Sequence, residues 1–213
     1  METVKIKSNI KLTEGLYLLS FRRNFDFVPG QIIEISIDKS IVPRMYSICS
    51  GNNAENIEIL YGVKERGQLT PCLSKLSMGD EIYISEPKGN FKSCNNGAVW
   101  IASGTGIAPF ASFLLSNEFT DIYLIHGARS MEAFYLSSFF KEKLKENYIQ
   151  CSSQGLFEGA FNGRVTHFID QMQNLLLNKQ YFICGSAEMV VDTREILLKK
   201  GVSFNKITAE IYF

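Results

Sequence analysis

Short apolar runs separated by turn residues occupy the first 95 residues of the chain. The runs are LYLLSFRR, QIIEISI, RMYSICS, IEILYGV and EIYIS, and turn residues such as Pro29-Gly30 and Gly79-Asp80 stand between them. Their β-branched and aromatic residues favour strands. Short strands at this spacing are typical of an antiparallel barrel or sandwich. We therefore expect an all-β first half.

After residue 95 the pattern changes to strands that alternate with helices. The predicted strands are AVWIAS, DIYLIHG, YIQCSS, QYFICG and the terminal KITAEIY, and the predicted helices between them are APFASFLLS, YLSSFFKEKLKE, RVTHFIDQM and AEMVVDTREILLKK. Strict alternation implies a parallel sheet covered on both faces. The sequence thus predicts two domains, an antiparallel barrel over residues 1–95 and a doubly wound α/β domain over residues 96–213.

Composition argues against several classes of function. The 22 basic and 22 acidic residues give a formal net charge of +0, so no overall field attracts nucleic acid or an anionic membrane. The sequence has neither a membrane-spanning apolar run nor the apolar core of a signal peptide, from which we expect a cytoplasmic protein. The 5 cysteines are scattered without a CxxC pair, which predicts no metal site, iron-sulfur cluster or disulfide framework.

Two strand ends in the second half carry glycines before a helix. In SGTGIAPF, Gly104 and Gly106 permit a tight turn and the close approach of a ligand, and Pro109 suits the first helical turn. A pyrophosphate could bind the free N–H groups at that helix start. Because Pro109 stands where a third glycine would complete the dinucleotide pattern, an ordinary strand-to-helix turn remains an alternative. ICGSAEMV repeats the arrangement at Gly185.

The first half has its own candidate anion site in ERGQLTPCLSKL. Gly67 offers free backbone, Thr70 is a suitable N-cap, Pro71 suits the first helical position and Leu73 begins an apolar face. A phosphate could bind there, or the helix could simply plug the barrel. Arg44 in RMYS favours a ligand, because a guanidinium inside an apolar strand is costly unless it meets a phosphate or carboxylate. We interpret RMYS as a ligand-binding strand.

In their order along the chain, these motifs resemble the ferredoxin–NADP reductase family, in particular its bacterial flavodoxin/ferredoxin reductase branch. The matching motifs are PGQ, RMYSICS, GQLTPCL, GDEIYISEPKGNF, GTGIAPF, HGAR, NGR, CGSAEMVVDT and AEIYF. The resemblance implies a six-stranded antiparallel barrel that binds FAD. It also implies a following doubly wound parallel-sheet domain that binds NADP(H), with a C-terminal tail that returns to the flavin.

The resemblance further implies residues that bind the two cofactors. Arg44 would hold the FAD pyrophosphate, Tyr46 would lie against the flavin, and Ser47 would hydrogen-bond the flavin N5 edge. The implied FAD-binding residues are Arg44, Met45, Tyr46, Ser47, Gly67, Gln68, Leu69, Thr70 and Phe213, the last stacked on the adenine. The implied NADP(H)-binding residues are Gly104, Thr105, Gly106, Arg129, Arg164, Cys184, Gly185 and Met189, with the two arginines on the ribose 2'-phosphate.

By the same resemblance, four residues serve catalysis. Besides Ser47, Cys184 would position the nicotinamide, Glu210 would relay a proton from solvent, and Tyr212 would cover the isoalloxazine ring. Hydride transfer to a flavin requires no imidazole base, so His126 and His167 are expected to be structural.

The implied activity is hydride transfer from NADPH to FAD, followed by transfer of single electrons to flavodoxin or ferredoxin, or the reverse. We expect a monomer that contains no metal. One alternative is an electron-transfer subunit of a larger oxidoreductase, such as that of dihydroorotate dehydrogenase, although such subunits usually carry a cysteine-rich tail that this sequence does not have. The other alternative is a non-catalytic FAD-binding redox sensor.

Overall fold

A computed structural model describes residues 1–38, 40–93 and 96–212 of the chain. Contacts divide the chain into two compact units. The first, which we call the barrel unit, consists of Met1–Lys92 and Ala108–Asn117, and the second, the α/β unit, consists of Ser93–Ile107 and Glu118–Phe213.

In its described residues, the barrel unit contains six strands and two α-helices. Its strands are β1 (Glu2–Thr13), β2 (Leu16–Arg22), β3 (Ile32–Ser36), β4 (Arg44–Ser47), β5 (Asn56–Gly62) and β6 (Glu81–Ile84), and its helices are α1 (Thr70–Leu73) and α2 (Ala108–Ser116). The strands form one antiparallel sheet in the order β4-β3-β6-β1-β2-β5. An isolated bridge between Ile48 and Ile59 joins the segment after β4 to β5, so the sheet curls and its two edges come together at that one point. This confirms the predicted six-stranded antiparallel architecture.

The longest strand, β1, was not identified from the sequence. Val4 and Ile6 alternate with lysines along it, and Ile6 is buried in the barrel core. β1 pairs with both β2 and β6, which makes it a central strand of the sheet. Alternation of apolar and polar residues is the signal that would have revealed it.

Aromatic packing attaches α2 to the barrel unit. Phe91 lies 5.8 Å from Phe110 and 6.1 Å from Phe113 between ring centroids. The Ser112 hydroxyl also donates to the Ser50 carbonyl at 2.8 Å. A helix that follows the first strand of the α/β unit in sequence thus belongs to the barrel unit in space.

In the residues that the structure describes, the α/β unit contains a second sheet and three α-helices. Its strands are β7 (Asn96–Ser103), β8 (Thr120–Ala128), β9 (Tyr148–Ser152), β10 (Phe161–Asn162), β11 (Gln180–Ser186) and β12 (Ile207–Tyr212), and its helices are α3 (Ser137–Leu144), α4 (Val165–Gln171) and α5 (Ala187–Lys199). All strands are parallel, in the order β10-β9-β8-β7-β11-β12. This confirms the predicted parallel sheet, to which the two-residue β10, too short to show a pattern, adds an edge.

Helices cover both faces of this sheet. On one face, Ile125 packs in a cluster with Ile169 of α4 and Val190 of α5. On the other, the His126 ring lies 4.9 Å from that of Phe134 and 6.3 Å from that of Phe140 in α3. Burial lowers the pKa of His126 to about 3, so its ring is neutral, which fits the structural role expected of it.

Strand order reverses between β7 and β11. The chain builds the sheet from β7 out to β10 and then returns to place β11 on the other side of β7. In open α/β sheets, ligands bind at the carboxyl ends of the strands beside such a reversal. A nucleotide site is therefore expected at the carboxyl ends of β7 and β11.

Two further features concern the part of the chain that the structure describes. None of its helices has the length and apolar character that a membrane span requires. Nor do its histidine, cysteine and acidic side chains form a group of three or more that could hold a metal ion.

Candidate functional site

Strand β4 presents the candidate FAD residues at an edge of the barrel sheet. Arg44 pairs with Ile35 of β3, and both Arg44 and Met45 are exposed, whereas Tyr46 is half-buried and Ser47 is buried. The expectation that Arg44 lies inside an apolar environment is wrong, because the strand is at the sheet edge and its first residues face solvent. The case for Arg44 as a ligand residue therefore depends on its exposed guanidinium, which can donate hydrogen bonds to an anion from solution.

Tyr46 ends a series of three tyrosine rings. Its ring meets Tyr61 edge-on at 6.4 Å, and Tyr61 stacks on Tyr17 at 5.4 Å between centroids. Burial raises the pKa of Tyr46 to about 12, with nearby Arg44 opposing the shift. The phenol is therefore neutral at physiological pH. A neutral, half-buried ring suits contact with a flat apolar cofactor.

Asn9 fixes helix α1 to the barrel wall. Its amide nitrogen donates to the carbonyl oxygens of Leu73 at 2.8 Å and Leu76 at 3.0 Å, which satisfies groups at the end of α1. Its amide oxygen accepts from the Tyr61 hydroxyl at 2.9 Å. Leu73 itself is part of the barrel core. One side chain thus holds both α1 and the ring next to Tyr46.

Thr70 does not cap α1 as expected. The helix begins at Thr70, Leu69 occupies the N-cap position, and no side chain caps it. The Thr70 hydroxyl instead accepts from the Lys64 backbone N–H at 2.8 Å, while Gly67 N–H donates to the Lys64 carbonyl at 2.7 Å. These two bonds shape the loop before α1. Leu69 is buried, whereas Gly67 and Gln68 are exposed.

In the α/β unit, the turn after β7 lies against the end of β11. A Cβ added to Gly106 would lie 2.2 Å from the Cys184 carbonyl oxygen, so only glycine allows this approach. The sequence interpretation assigned the small size of Gly106 to a ligand, whereas here the close neighbour is protein backbone. Gly104 has a left-handed φ of +54° with open space around its Cβ position. Thr105 between them is partly exposed.

Strand pairing brings three candidate catalytic positions together. Cys184 of β11 lies opposite Glu210 of β12, and Ser186 lies opposite Tyr212. Burial raises the pKa of the Cys184 thiol well above its ordinary value, and the charge of Glu210 adds to this effect, while a hydrogen bond with Tyr212 opposes it. The Cys184 thiol is therefore uncharged and could contact a ligand, but it is not a thiolate nucleophile.

The two candidate phosphate-binding arginines differ in their partners. Arg129 follows β8 and is exposed. Its carbonyl accepts from Gln154 N–H at 2.9 Å, which ties its loop to the end of β9. Arg164 is the N-cap residue of α4, and its Nη1 lies 3.0 Å from Oε1 of Glu188 in the first turn of α5. The sequence interpretation did not single out Glu188.

The remaining predicted residues are placed as follows. Met189 is buried in the core of the α/β unit, where the Thr193 hydroxyl donates to its sulfur at 3.4 Å. Gly185 stands close to β7, since a Cβ there would lie 2.4 Å from the Ser103 hydroxyl. Phe213 lies outside the described residues.

Comparison with known proteins shows the family of the chain. The family model described as an oxidoreductase FAD-binding domain matches residues 3–93, and that described as an oxidoreductase NAD-binding domain matches residues 100–195. A ferredoxin–NADP reductase of Azotobacter vinelandii is 31% identical over 201 residues, which cover 80% of this chain and 78% of that protein. The chain belongs to the ferredoxin–NADP reductase family. It is therefore an oxidoreductase with an electron-transfer role, built from an FAD-binding and an NAD-binding domain.

Two further proteins resemble this ferredoxin–NADP reductase family member. A probable electron-transfer subunit of dihydroorotate dehydrogenase B (NAD(+)) from Pyrococcus abyssi is 26% identical over 213 residues, covering 100% of this chain and 79% of that protein. A ferredoxin NADP+ reductase from Neisseria gonorrhoeae, solved with bound FAD and NADP, has the same fold, with a TM-score of 0.89, 22% identity and coverage of 100% and 98% of the two chains.

The residues of this ferredoxin–NADP reductase family member fit the two cofactors of its domains. In the barrel unit, the exposed guanidinium of Arg44 matches a pyrophosphate, and the half-buried ring of Tyr46 matches a flavin. In the α/β unit, the glycine turn at the β7/β11 reversal and the cations Arg129 and Arg164 match a phosphorylated dinucleotide. Each unit thus carries side chains whose chemistry is compatible with the cofactor that its family model names.

Proposed function

We propose that this protein is a ferredoxin/flavodoxin–NADP reductase, active as a monomer, that exchanges hydride with NADP(H) and single electrons with a flavodoxin or ferredoxin. The proposal is carried by the combination, in one chain, of the β4 donor set and the glycine turn at the β7/β11 reversal. A flavodoxin/ferredoxin–NADP reductase of Escherichia coli, 28% identical over 221 residues that cover 90% of this chain and 88% of that protein, supports the same activity.

In this proposal residues 1–95 bind FAD. Arg44 neutralises the pyrophosphate, and Gly67, Gln68 and Leu69 complete its cradle from the loop before α1, with Thr70 closing that loop through Lys64. Tyr46 lies against the flavin, Met45 adds apolar contact, and the Ser47 hydroxyl hydrogen-bonds the N5 edge. FAD supplies the redox chemistry when bound, since it accepts two electrons as a hydride and releases them singly.

Residues 96–213 bind the nicotinamide dinucleotide in the same proposal. Gly104, Thr105 and Gly106 face its pyrophosphate, Arg129 and Arg164 bind the 2'-phosphate, and Cys184 and Gly185 contact the nicotinamide. Met189 supports this contact from the core, which replaces its earlier assignment as a direct ligand. Glu210 relays a proton, and Tyr212 and Phe213 provide aromatic cover.

Two observations favour a second function. The Pyrococcus relative aligns with the whole of this chain and is named as an NAD(+)-linked electron-transfer subunit. In that case the electron partner would be a catalytic subunit of a larger oxidoreductase, and NADH would be the better reductant. The pairing of Arg164 with Glu188 also weakens the case for strict NADPH specificity.

Steady-state reduction of ferricyanide by the FAD-loaded protein tests the proposal. NADPH should support steady turnover with a higher kcat/KM than NADH, and adding ferredoxin or flavodoxin should allow cytochrome c reduction. Turnover with NADH alone would replace the proposal with the subunit function. No turnover with either nucleotide, in a protein that retains FAD, would indicate a redox sensor.

A further inference from the structure

One ion pair joins the starts of two neighbouring helices in the α/β unit. Arg164 Nη1 and Glu188 Oε1 are 3.0 Å apart, with 65% and 71% of the two side chains exposed. Arg164 is the N-cap residue of α4 and Glu188 lies in the first turn of α5. A dissolved ligand can therefore reach both charged groups.

The pair stands at the carboxyl edge of the parallel sheet, where ligands of such sheets bind. Gly163 N–H donates to the Ser152 carbonyl at the end of β9 at 2.8 Å. A Cβ on Gly127 of β8 would lie 2.4 Å from Val165 Cγ2. These contacts fix the start of α4 beside the ends of β8 and β9. The loop that contains Arg129 follows β8 and is bonded to the residues after β9, so it lies at the same edge.

The two charges have different relations to the helices that carry them. A carboxylate in the first turn of α5 is stabilised by the positive end of the helix dipole, whereas a guanidinium at the start of α4 is not. Glu188 compensates the charge of Arg164 at this position. Within the described ranges Arg129 forms no ion pair, so the two arginines are not equivalent as anion ligands.

A ribose 2'-phosphate and the Glu188 carboxylate would compete for the same guanidinium. An incoming phosphate must displace the carboxylate from Arg164 and then remain close to its negative charge. NAD+ carries a hydroxyl group at that ribose position and requires no such displacement. Glu188 therefore lowers the affinity for the 2'-phosphorylated dinucleotide and leaves that for NAD+ unchanged.

We propose that Glu188 is a specificity-determining residue that lowers the preference of this protein for NADP(H) over NAD(H) by occupying Arg164. The inference rests on the proposed function, which places the dinucleotide at the carboxyl edge of the sheet and its 2'-phosphate on the arginines. The inference adds to that function a carboxylate that competes with the 2'-phosphate for Arg164.

The test compares Glu188→Gln with wild type, both FAD-loaded, in flavin difference titrations with NADP+ and with NAD+. We expect the Kd for NADP+ to fall about twofold to fivefold, the scale of one exposed ion pair, and the Kd for NAD+ to stay the same. High salt should reduce the gain, because it screens exposed charges. A purely structural role of Glu188 would shift both dinucleotides alike.

Two further variants sharpen the result. Glu195→Gln removes an exposed carboxylate from the same helix and should change neither affinity. In an Arg164→Gln background, Glu188→Gln should have little effect on NADP+, because the two residues act through one contact.

An unchanged ratio of NADP+ to NAD+ affinity in Glu188→Gln would overturn the inference and leave the proposed function intact. An equal gain in the Arg164→Gln background would also overturn it, since Glu188 would then act without Arg164. If wild type binds neither dinucleotide, the proposed function and the inference both fail.

Discussion

The barrel unit and the α/β unit hold their candidate ligand residues by different means. In the barrel unit, the Asn9 side chain spans from α1 to Tyr61 through three hydrogen bonds of 2.8, 3.0 and 2.9 Å. In the α/β unit, backbone segments approach one another where a glycine has no side chain, as at Gly106 beside Cys184. The barrel site should therefore be sensitive to the loss of a polar atom, and the nucleotide site to the gain of one carbon.

The largest expected effect is that of Gly106→Ala. The new Cβ would lie 2.2 Å from the Cys184 carbonyl oxygen, and because both sides of the contact are backbone, one strand end must move. We expect the free energy of unfolding of the α/β unit to fall by about 3 kcal/mol. Urea unfolding followed by fluorescence of Trp100, the single tryptophan, on β7, measures it.

Gly104→Ala is the matched control for that variant. A Cβ at Gly104 meets no atom within 4 Å, although its φ of +54° is left-handed. Its cost should be limited to about 1–2 kcal/mol of backbone strain. Equal losses in the two variants would show that contact with β11 does not matter.

Asn9→Leu should have the next largest effect. It leaves the carbonyls of Leu73 and Leu76 and the hydroxyl of Tyr61 without this partner, at a cost of about 2–3 kcal/mol. Tyr61→Phe breaks one of the three bonds and should cost about 1 kcal/mol. Thermal unfolding followed by circular dichroism gives both values. A Leu variant as stable as wild type would mean that side-chain hydrogen bonds do not hold α1.

Arg44→Ala tests ligand binding in the barrel unit without disturbing the fold. Arg44 is exposed, so stability without cofactor should be unchanged. The loss of charged hydrogen bonds to the pyrophosphate should raise the Kd for FAD about 10- to 150-fold, measured by fluorescence titration of flavin. Arg44→Lys keeps the charge but loses the planar fork and should give an intermediate value. FAD affinity unaffected by either change would remove Arg44 from the site.

The smallest expected effect is a difference in reactivity between two thiols, one in each unit. Cys72 in α1 is exposed, whereas burial raises the pKa of Cys184. At alkaline pH, iodoacetamide should label Cys72, which is exposed, and leave the buried Cys184 intact, as mapped by mass spectrometry of peptides. Because the folded state keeps the Cys184 proton that the unfolded chain releases, stability should also fall as pH rises above the ordinary thiol pKa of about 8.5. Rapid labelling of Cys184 would contradict its burial.

The sequence predicted the class of both sheets, but it missed the central strand β1 and the two-residue edge strand β10. Short apolar runs rich in β-branched and aromatic residues, with turn dipeptides between them, indicated the antiparallel strands, and alternating strands and helices indicated the parallel sheet. The cap of α1 was predicted one residue too late, because a hydrogen bond from Lys64 engages the Thr70 hydroxyl. Arg44 was expected to lie in an apolar environment because its sequence neighbours are apolar. Its exposure follows from the position of β4 at the edge of the sheet, which the local sequence does not reveal.

The contacts that distinguish the two sites could not be predicted from the sequence. Asn9 and Leu73 are 64 residues apart, and Arg164 and Glu188 are 24 apart. No local pattern marks such a pair, since each depends on which elements become neighbours after folding. Glu188 carried one signal, an acidic residue in the first turn of a helix that follows a strand-ending glycine.

The central claim, that the chain is an FAD-dependent reductase driven by NADPH, is tested most directly by mixing the FAD-loaded protein with NADPH under anaerobic conditions. The account predicts that the visible absorption of the flavin is bleached rapidly with NADPH and more slowly with NADH at equal concentration, and that oxidised ferredoxin or flavodoxin restores it. A protein that holds FAD whose absorption neither nucleotide changes would contradict the claim.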